Sequence, residues 1–592
     1  MKRTTPLLSA LAITLAMTAC SGAKHGMEGT VPAEPGSRPG SEQTSDRRAE
    51  MMRLFMEATQ ARLTGRPTEA LQKYQRCLKL EPSNGAVLFE LAKLYHVGQN
   101  PSQAVEYARQ AVASDKANIW YRFLLADLYR ESNRPGDAVD VYKGVLQQWP
   151  DRFEVYLDLA AAYAFAGKPD ESVKVYGDVE KRFGLGEELI AHAFNTYMGA
   201  RNWTAAEQLL QRALKNEPDD PEYAGMLAEV YDDQGLQEKA LEQYQRALAL
   251  DPSNSLLRIS LAEHYYTNGR MEDAYRELGE AFLDPGLDVD AKMQVLIGFF
   301  EMTENEGEKP DDRPELIRRS YALIDALEQA HPESGKPFTI RGDFLLRDGK
   351  IAEARDAFKK ALTLEKDRYP IHQQVLQLDL QLGDHEGLVR DADAAAELFP
   401  TSPEPYLFKG IGLSQLERYD EAIEALVIGR DLVVDNPPLT AQFWSSLGEA
   451  YNSAKQFDKS DKAYDKALAL IPDDATTLNN YAYYLSVRGE QLEKAERMSK
   501  RSNELAPGQP SYQDTYAWVL FRSRKFAEAR TWMEKAIAGS PDPDGELLEH
   551  HADILFELGE TAAALEQWKL AKARGGASDL IDRKINEARR VE

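Results

Sequence analysis

Residues 221–254 read PEYAGMLAEVYDDQGLQEKALEQYQRALALDPSN, and this stretch decides the fold. Apolar and small residues recur three or four positions apart on both sides of Gly235. That spacing puts them on one face of a helix, so the segment predicts two helices joined by a tight turn. Proline lacks the amide donor of a helix interior, and Pro252 therefore marks the end of the second helix. The positions that define the pattern are Leu227, Ala228, Tyr231, Gly235, Ala240, Tyr244, Ala247 and Pro252.

The same pattern returns along the chain with a period of 34 residues. We call the two helices of each unit A and B and number the positions of a unit from its first residue. Recognisable units begin at 51, 85, 119, 153, 187, 221, 255, 335, 369, 403, 441, 475, 510 and 545. A longer, degenerate unit is inferred at 289–334, which makes fifteen units.

Position 8 is small in twelve of the fifteen units, and we expect helix A to approach helix B closely there. The residues are Ala58, Ala92, Ala126, Ala160, Ala228, Ala262, Gly342, Gly410, Gly448, Ala482, Ala517 and Ala552.

Over residues 51–578 this pattern resembles the tetratricopeptide repeat (TPR) superfamily. In that superfamily each unit is an antiparallel helix pair that stacks on its neighbours. The resemblance implies an all-α fold, a right-handed α-solenoid of about fifteen TPR helix-turn-helix units. The expected segments are TPR blocks at 51–288, 335–436 and 441–578, the degenerate unit 289–334 with an acidic loop at 303–314, a break at 437–440, and a C-terminal capping helix at 579–592.

Residues 1–20, MKRTTPLLSALAITLAMTAC, have the pattern of a secretory signal, with Lys2 and Arg3 before an apolar run. The run of 13 residues would cover about 20 Å as a helix, short of the ~30 Å hydrocarbon core of a bilayer. Its end, Met17 to Cys20, resembles the bacterial lipobox. That resemblance implies removal of a signal peptide 1–19 and lipidation of Cys20. The alternative is an ordinary cleaved signal with an incidental cysteine.

Two further features bear on the compartment. Ser21 rather than Asp follows the cysteine, which in lipoproteins of this kind implies transfer to the outer membrane. Residues 20–50 are rich in Gly, Pro, Ser and charge and poor in large apolar side chains, so they predict a flexible tether. The expected location is therefore the outer membrane, lipid-anchored and facing the periplasm.

Charge and cysteine content exclude other classes of protein. The chain has 71 Lys and Arg against 97 Asp and Glu, a formal net charge of −26, which disfavours nucleic acid as a partner. Only two cysteines are present, so a disulfide-stapled scaffold is excluded. Cys77 falls at position 27, where the repeats carry Ala, and is predicted to be a small buried core residue.

The sequence contains no HExxH, CxxC pair, GxxxxGK[ST] or GxSxG motif. His550 and His551 are adjacent on a predicted helix, about 100° apart, and so cannot both ligate one ion as an i, i+4 pair can. We therefore predict no catalytic residues, no metal and no cofactor. An enzyme with its site in unit 289–334 is kept as an alternative.

The resemblance implies that positions 2, 5, 9, 12 and 13 of helix A face a ligand-binding groove. The candidate groove residues are Phe89, Lys93, His96, Trp120, Phe123, Arg130, Phe165, Asn479, Tyr483, Trp518 and Phe521. A candidate acidic wall between the two aromatic stretches comprises Glu229, Asp232, Asp233 and Glu263. Packing against the next repeat is the alternative for the aromatic residues, and a solvated surface is the alternative for the carboxylates.

One ligand mode of the family fits poorly. The clamp for a C-terminal carboxylate needs Lys at position 5 with Asn at position 9, and repeat five has Asn195 with Ala191 instead. The expected function is a non-enzymatic, lipid-anchored scaffold that binds peptide or protein segments and assembles or stabilises a complex of the Gram-negative envelope. An adaptor for polysaccharide export or cell-wall machinery is the alternative.

Overall fold

The computed structural model describes residues 41–304 and 313–591, and within these ranges the chain forms 31 helices and no strand. The predicted signal peptide, Cys20 and most of the tether lie outside the described residues, as does 305–312 in the predicted acidic loop. The chain divides into two compact units, the first ending at Val295 and the second beginning at Leu296.

The first unit contains fourteen complete helices, alternately A and B, and the division falls within a fifteenth. They are α1 Ser41–Leu63, α2 Pro67–Leu80, α3 Gly85–Val97, α4 Pro101–Ser114, α5 Ile119–Glu131, α6 Pro135–Gln148, α7 Phe153–Phe165, α8 Pro169–Phe183, α9 Glu187–Gly199, α10 Trp203–Asn216, α11 Pro221–Asp233, α12 Gln237–Leu250, α13 Ser255–Thr267, α14 Met271–Leu283 and α15 Val289–Glu304.

The second unit continues the alternation and ends with a short extra helix. Its helices are α16 Arg313–Ala330, α17 Lys336–Arg347, α18 Ile351–Leu364, α19 Tyr369–Leu382, α20 His385–Leu398, α21 Glu404–Gln415, α22 Tyr419–Leu432, α23 Pro437–Ser453, α24 Phe457–Leu470, α25 Ala475–Arg488, α26 Leu492–Leu505, α27 Pro510–Arg522, α28 Phe526–Gly539, α29 Gly545–Glu557, α30 Thr561–Arg574 and α31 Ile581–Glu587.

The helices confirm the predicted all-α solenoid of fifteen helix pairs, since the odd-numbered helices α1 to α29 fall on helix A of each unit and the even-numbered ones on helix B. Small residues are required at position 8 because helix A approaches helix B closely there, as expected. A Cβ atom on Gly410 would lie 2.4 Å from the Leu426 side chain, and one on Gly448 would lie 2.7 Å from the Tyr464 ring. Contacts that short do not occur without displacement, so these glycines permit the close approach of A to B.

The turn between A and B is the most regular feature of the backbone. Position 15 has a positive φ in all fourteen recognisable units, whether or not the residue is glycine. The glycines, with φ between 69° and 86°, are Gly65, Gly167, Gly235, Gly269, Gly349, Gly383, Gly489 and Gly559. The other residues, with φ between 54° and 62°, are Gln99, Asn133, Arg201, Glu417, Lys455 and Arg524. Packing of the helix pair therefore imposes a left-handed turn even where the side chain opposes it.

Three predicted boundaries were wrong. Helix α1 begins at Ser41, so the last ten residues of the predicted tether, 41–50, are helical. The tether was predicted because this stretch has few apolar side chains to bury. Residues 46–50 are indeed exposed, but they are helical nonetheless. Residues 437–440 are not a break but the first turn of α23, which tolerates proline because its first amides need no helical acceptor. The terminal helix covers only 581–587 of the predicted 579–592.

Two buried polar or reactive groups have structural roles. Cys77 is a free, buried core residue as predicted, and burial raises the pKa of its thiol to about 11. The Lys292 side chain is fully buried, and its Nζ donates to the carbonyl oxygens of Phe282 at 2.9 Å and Asp284 at 2.6 Å. It thereby satisfies backbone acceptors at the C-terminal end of α14, where the helical ladder ends. No helix among the described residues is long and apolar enough to cross a membrane.

Candidate functional site

Three successive A helices of the first unit, α3, α5 and α7, line an open pocket of about 480 Å³ together with Tyr142 of α6. We call it the aromatic pocket. It contains four of the candidate groove residues, Phe89, Lys93, Trp120 and Phe123. The remaining lining residues are Leu124, Asp127, Tyr142, Glu154, Val155 and Asp158.

Not all aromatic side chains of this pocket are buried in the hydrophobic core. Trp120 is 68% exposed, which is unusual for so large an apolar side chain. Its ring meets that of Phe123 edge to face, with centroids 6.0 Å apart. The Lys93 ammonium lies 5.3 Å from the centre of the Phe89 ring and 3.2 Å from Glu90 Oε1. The pocket therefore offers aromatic surface, and its lysine is already engaged.

Carboxylates from two helices face the same pocket. Arg130 approaches Asp127 at 3.9 Å and Asp158 at 3.6 Å, too far for a hydrogen bond to either. Within the described chain Glu154 has neither a hydrogen bond nor an ion pair. Burial, only partly offset by Arg130 and reinforced by Asp127 and Glu154, raises the pKa of Asp158 to about 6. These carboxylates thus lack a full counter-charge.

The other candidates from this stretch lie outside the pocket. His96 is exposed, with Nδ1 at 3.2 Å from Glu131. Arg130 is not a lining residue, although it lies 3.6 Å from Asp158. Phe165 is 58% exposed, and its ring packs over Gly199 of α9, 3.6 Å from the point where a Cβ would lie. For Phe165 the alternative of packing against the next repeat therefore applies in part.

The acidic half of the pocket was not among the residues predicted from the sequence. Asp127 is at position 9 and Glu154 is at position 2. Both positions were expected to face the groove, so these two residues could have been predicted from the sequence. Asp158 and Leu124 stand at position 6, which is not one of the positions expected to face the groove. Their role becomes visible only when three helices are assembled.

A second pocket, of about 550 Å³, lies among α25, α27 and α29 of the second unit. We call it the polar pocket. It contains Asn479 and Tyr483 of the candidate set. Its other lining residues are Asn480, Tyr484, Pro510, Ser511, Asp514, Thr515, Ser540, Asp542, Asp544, Glu546 and Leu547.

Hydrogen bonds within the protein occupy much of the polar pocket. The Tyr483 hydroxyl donates to Glu546 Oε1 at 2.5 Å, which links α25 to α29. His550 Nδ1 lies 3.0 Å from Asp514 Oδ1. Burial lowers the pKa of His550, but Asp514 and then Glu546 raise it, and the net shift is upward. Two carboxylates of this pocket, Glu546 and Asp514, therefore already have partners within the protein.

Two of the candidate residues in this region proved to be buried. Phe521 is only 2% exposed, stacked against Trp518 at 4.8 Å and covered by the Arg590 guanidinium at 4.8 Å, so its assignment to the groove was wrong. Asn479 is 7% exposed and therefore lies at the bottom of the pocket. Trp518 is half-buried and stacks on His550 with ring centres 3.9 Å apart.

The acidic wall lies on α11 and α13 and is not a plainly solvated surface. Asp232 Oδ1 is 2.6 Å from His264 Nδ1. Glu229 is half-buried, and burial together with Glu263, Asp233 and Asp232 raises its pKa to about 7. No group of three or more His, Cys, Asp or Glu residues within 41–304 and 313–591 is arranged to hold a metal ion.

Family comparison agrees with the repeat pattern. Two family models, each described as a tetratricopeptide repeat, match this sequence, one at residues 193–255 and 409–475 and the other at 61–128, 129–184 and 233–290. The chain is a tetratricopeptide repeat protein. Proteins of this class generally mediate protein–protein interactions, and the matched families are typically non-catalytic.

The curated relatives are distant, and this chain spans less than two thirds of the length of each one described below. The acetyltransferase A complex auxiliary subunit NAA15 of Arabidopsis thaliana is 25% identical over 178 residues, 29% of this chain and 19% of its own. A TPR repeat-containing protein of Pseudomonas aeruginosa is 27% identical over 137 residues, 23% of this chain and 22% of its own. The type IV pilus assembly protein PilF of Pseudomonas aeruginosa is 25% identical over 167 residues, 28% of this chain and 65% of its own.

Solved structures with a similar fold include a tetratricopeptide repeat protein of Parabacteroides merdae, with a TM-score of 0.36 and 16% identity over 43% of this chain and 99% of its own. The APC/C hetero-tetramer Cut9-Hcn1 gives a TM-score of 0.34 and 16% identity over 86% of this chain and 96% of its own. At these values the similarity carries no argument about function.

Proposed function

We propose that this protein is a non-enzymatic scaffold, lipid-anchored through Cys20 in the Gram-negative outer membrane, that binds a segment of a partner protein in the aromatic pocket and so helps to assemble an envelope complex. The observation that carries the binding role is the exposed ring of Trp120 beside Phe123 and Phe89. Exposed aromatic side chains in a cavity are typical anchors for protein segments.

The envelope part of the proposal is supported by sequence. Lys2, Arg3, the apolar run and Cys20 have the lipoprotein signal pattern. The similarity to the type IV pilus assembly protein PilF of Pseudomonas aeruginosa also favours assembly of an envelope machine.

The binding role is tested by in-cell crosslinking of the full chain and its Trp120→Ala variant, with identification of crosslinked proteins by mass spectrometry. We expect one or more envelope proteins to be lost from the Trp120→Ala sample and kept in Leu256→Ala, which removes an exposed apolar residue at the same repeat position outside the pocket. An unchanged set of crosslinked proteins would contradict the binding role. Recovery of a polysaccharide synthase complex instead would favour the adaptor function.

The anchor is tested separately with Cys20→Ser. We expect this variant to incorporate no labelled fatty acid and to leave the membrane fraction. Equal lipid labelling of the wild-type chain and the variant would contradict lipidation at Cys20.

A further inference from the structure

We infer that the aromatic pocket recognises an arginine side chain of the partner segment, an inference that rests on the proposed function. Two properties of the pocket carry it, namely exposed aromatic surface and carboxylates without a full counter-charge. Each is present in the free protein before any partner binds.

The aromatic property favours a planar cation. A guanidinium stacks on the face of an indole or phenyl ring, with Trp the best partner among the aromatic residues. The indole of Trp120 is 68% exposed and stands over a lining that includes Phe123 and Leu124. The methylene stem of an arginine and its apolar neighbours in a segment would cover this surface.

The carboxylates of the pocket favour a positively charged group on the partner segment. Glu154 has no ion pair in the described chain, and Arg130 stays 3.6 Å or more from Asp127 and Asp158. A guanidinium has five N–H donors in a fixed fork that matches a carboxylate with two parallel hydrogen bonds. Lysine lacks both the fork and the planar face, so arginine fits this combination better.

The pocket contains a cation of its own, and its position matters. Lys93 lies in the lining, but its ammonium is held 3.2 Å from Glu90 and over the Phe89 ring. It therefore neutralises a carboxylate outside the lining rather than Asp127, Glu154 or Asp158.

The net charge of the whole chain, −26, would attract any basic peptide, so the test must separate local recognition from general attraction. We would titrate the full chain, in mild detergent at physiological salt, with a fluorescent blocked octapeptide that has one arginine between leucines. Its twin has citrulline in place of arginine and keeps the shape without the charge. Binding is read by fluorescence anisotropy.

We expect the arginine peptide to bind about tenfold more tightly than its citrulline twin, and a lysine peptide to fall between them. Asp158→Asn should reduce the preference for arginine over citrulline to less than about threefold, and Trp120→Ala should weaken both peptides. Asp178→Asn removes an exposed carboxylate of α8 that pairs with Lys181, and it should leave both affinities unchanged.

Equal affinity for the arginine and citrulline peptides, or no binding of either, would overturn the inference. So would a preference that survives in Asp158→Asn, or displacement of the arginine peptide by millimolar choline, which would indicate a site for small quaternary ammonium groups. None of these outcomes alters the crosslinking result for Trp120→Ala, so failure of the arginine inference is distinguishable from failure of the binding role.

Discussion

The aromatic pocket and the polar pocket occupy equivalent places among three successive A helices, yet their chemistry differs. Position 5 is Phe89 in one and Asn479 in the other, and position 2 of the next repeat is Trp120 or Ser511. In the aromatic pocket, the ring of Trp120 is exposed and the carboxylate of Glu154 has no ion pair within the described chain. In the polar pocket, Glu546 is hydrogen-bonded to Tyr483, and Asp514 lies 3.0 Å from His550.

One shared residue makes the difference clear. Position 2 of the third helix is a glutamate in both pockets, Glu154 and Glu546. Glu546 accepts a hydrogen bond from the hydroxyl of Tyr483, whereas Glu154 has no such donor within the described chain. The repeat places the same carboxylate in both pockets, and the neighbouring helices decide whether it is available to a partner.

The largest expected effect concerns how the polar pocket is held together. Lys584 of α31 is buried and lies 2.7 Å from both Glu549 and Asp553 of α29, the helix that supplies Glu546. Lys584→Met would leave two buried carboxylates without their positive counter-charge, and we expect the free energy of unfolding of the second unit to fall by about 3–5 kcal/mol. Urea unfolding followed by far-UV circular dichroism measures this.

The matched control is Lys572→Met, which removes an exposed ion pair to Asp582 of the same helix α31 and should cost less than about 1 kcal/mol. Binding of the arginine peptide should survive in Lys584→Met, because the aromatic pocket belongs to the first unit. Equal stability of the two lysine variants would contradict a latching role for Lys584.

Replacing Trp518 should affect mainly stability, whereas replacing Trp120 should affect mainly binding of the arginine peptide. Trp518 stacks on Phe521 and His550, so Trp518→Ala should lower the free energy of unfolding by about 2 kcal/mol without affecting the arginine peptide. Trp120 is mostly exposed, so Trp120→Ala should weaken the peptide about thirtyfold and leave stability within about 0.5 kcal/mol. Calorimetric melting and peptide titration of both variants check the pair. A similar stability loss in both variants would contradict the contrast.

A smaller effect is expected at the hydroxyl that links α25 to α29. Tyr483→Phe removes the hydrogen bond to Glu546 and should lower stability by about 1 kcal/mol. Tyr484→Phe is the control, since no hydrogen bond to its hydroxyl is present among the described residues. If the two variants melt alike in thermal unfolding, the hydroxyl does not stabilise the polar pocket.

The smallest expected effect is a pH dependence confined to the aromatic pocket. Asp158 binds a cation only as a carboxylate, and its pKa of about 6 means that it gains a proton as the pH falls below that value. The charged and titratable groups that act on it are Arg130 and Asp127 of α5, Tyr142 of α6, Glu154 of α7 and Tyr176 of α8.

Affinity for the arginine peptide should therefore be constant above about pH 7 and fall a few-fold between pH 7 and pH 5. Anisotropy titrations across this range test it. Asp158→Asn should flatten the profile, and a profile of unchanged shape in that variant would assign the pH dependence to another group.

The sequence was sufficient for the repeat and for part of the site. Small residues such as Gly448 and the period itself predicted every helix pair, because close packing of A on B is local and recurs in each unit. Burial of Phe521 was missed because its cover, Arg590, lies beyond the last repeat and belongs to no periodic pattern. Asp158 was missed because its relevance depends on Phe89 and Trp120, which come from two other repeats and line the same cavity.

The left-handed residue at position 15 offers a way to probe the chain one unit at a time. It lies in the turn, away from either pocket, and six of the fourteen units carry a side chain there that disfavours the turn by about 1 kcal/mol relative to glycine. Replacing Arg201 or Lys455 by Gly would alter one helix pair only. Since solenoid units interact mainly with neighbours, hydrogen exchange of such variants would report how far local unfolding spreads from each turn.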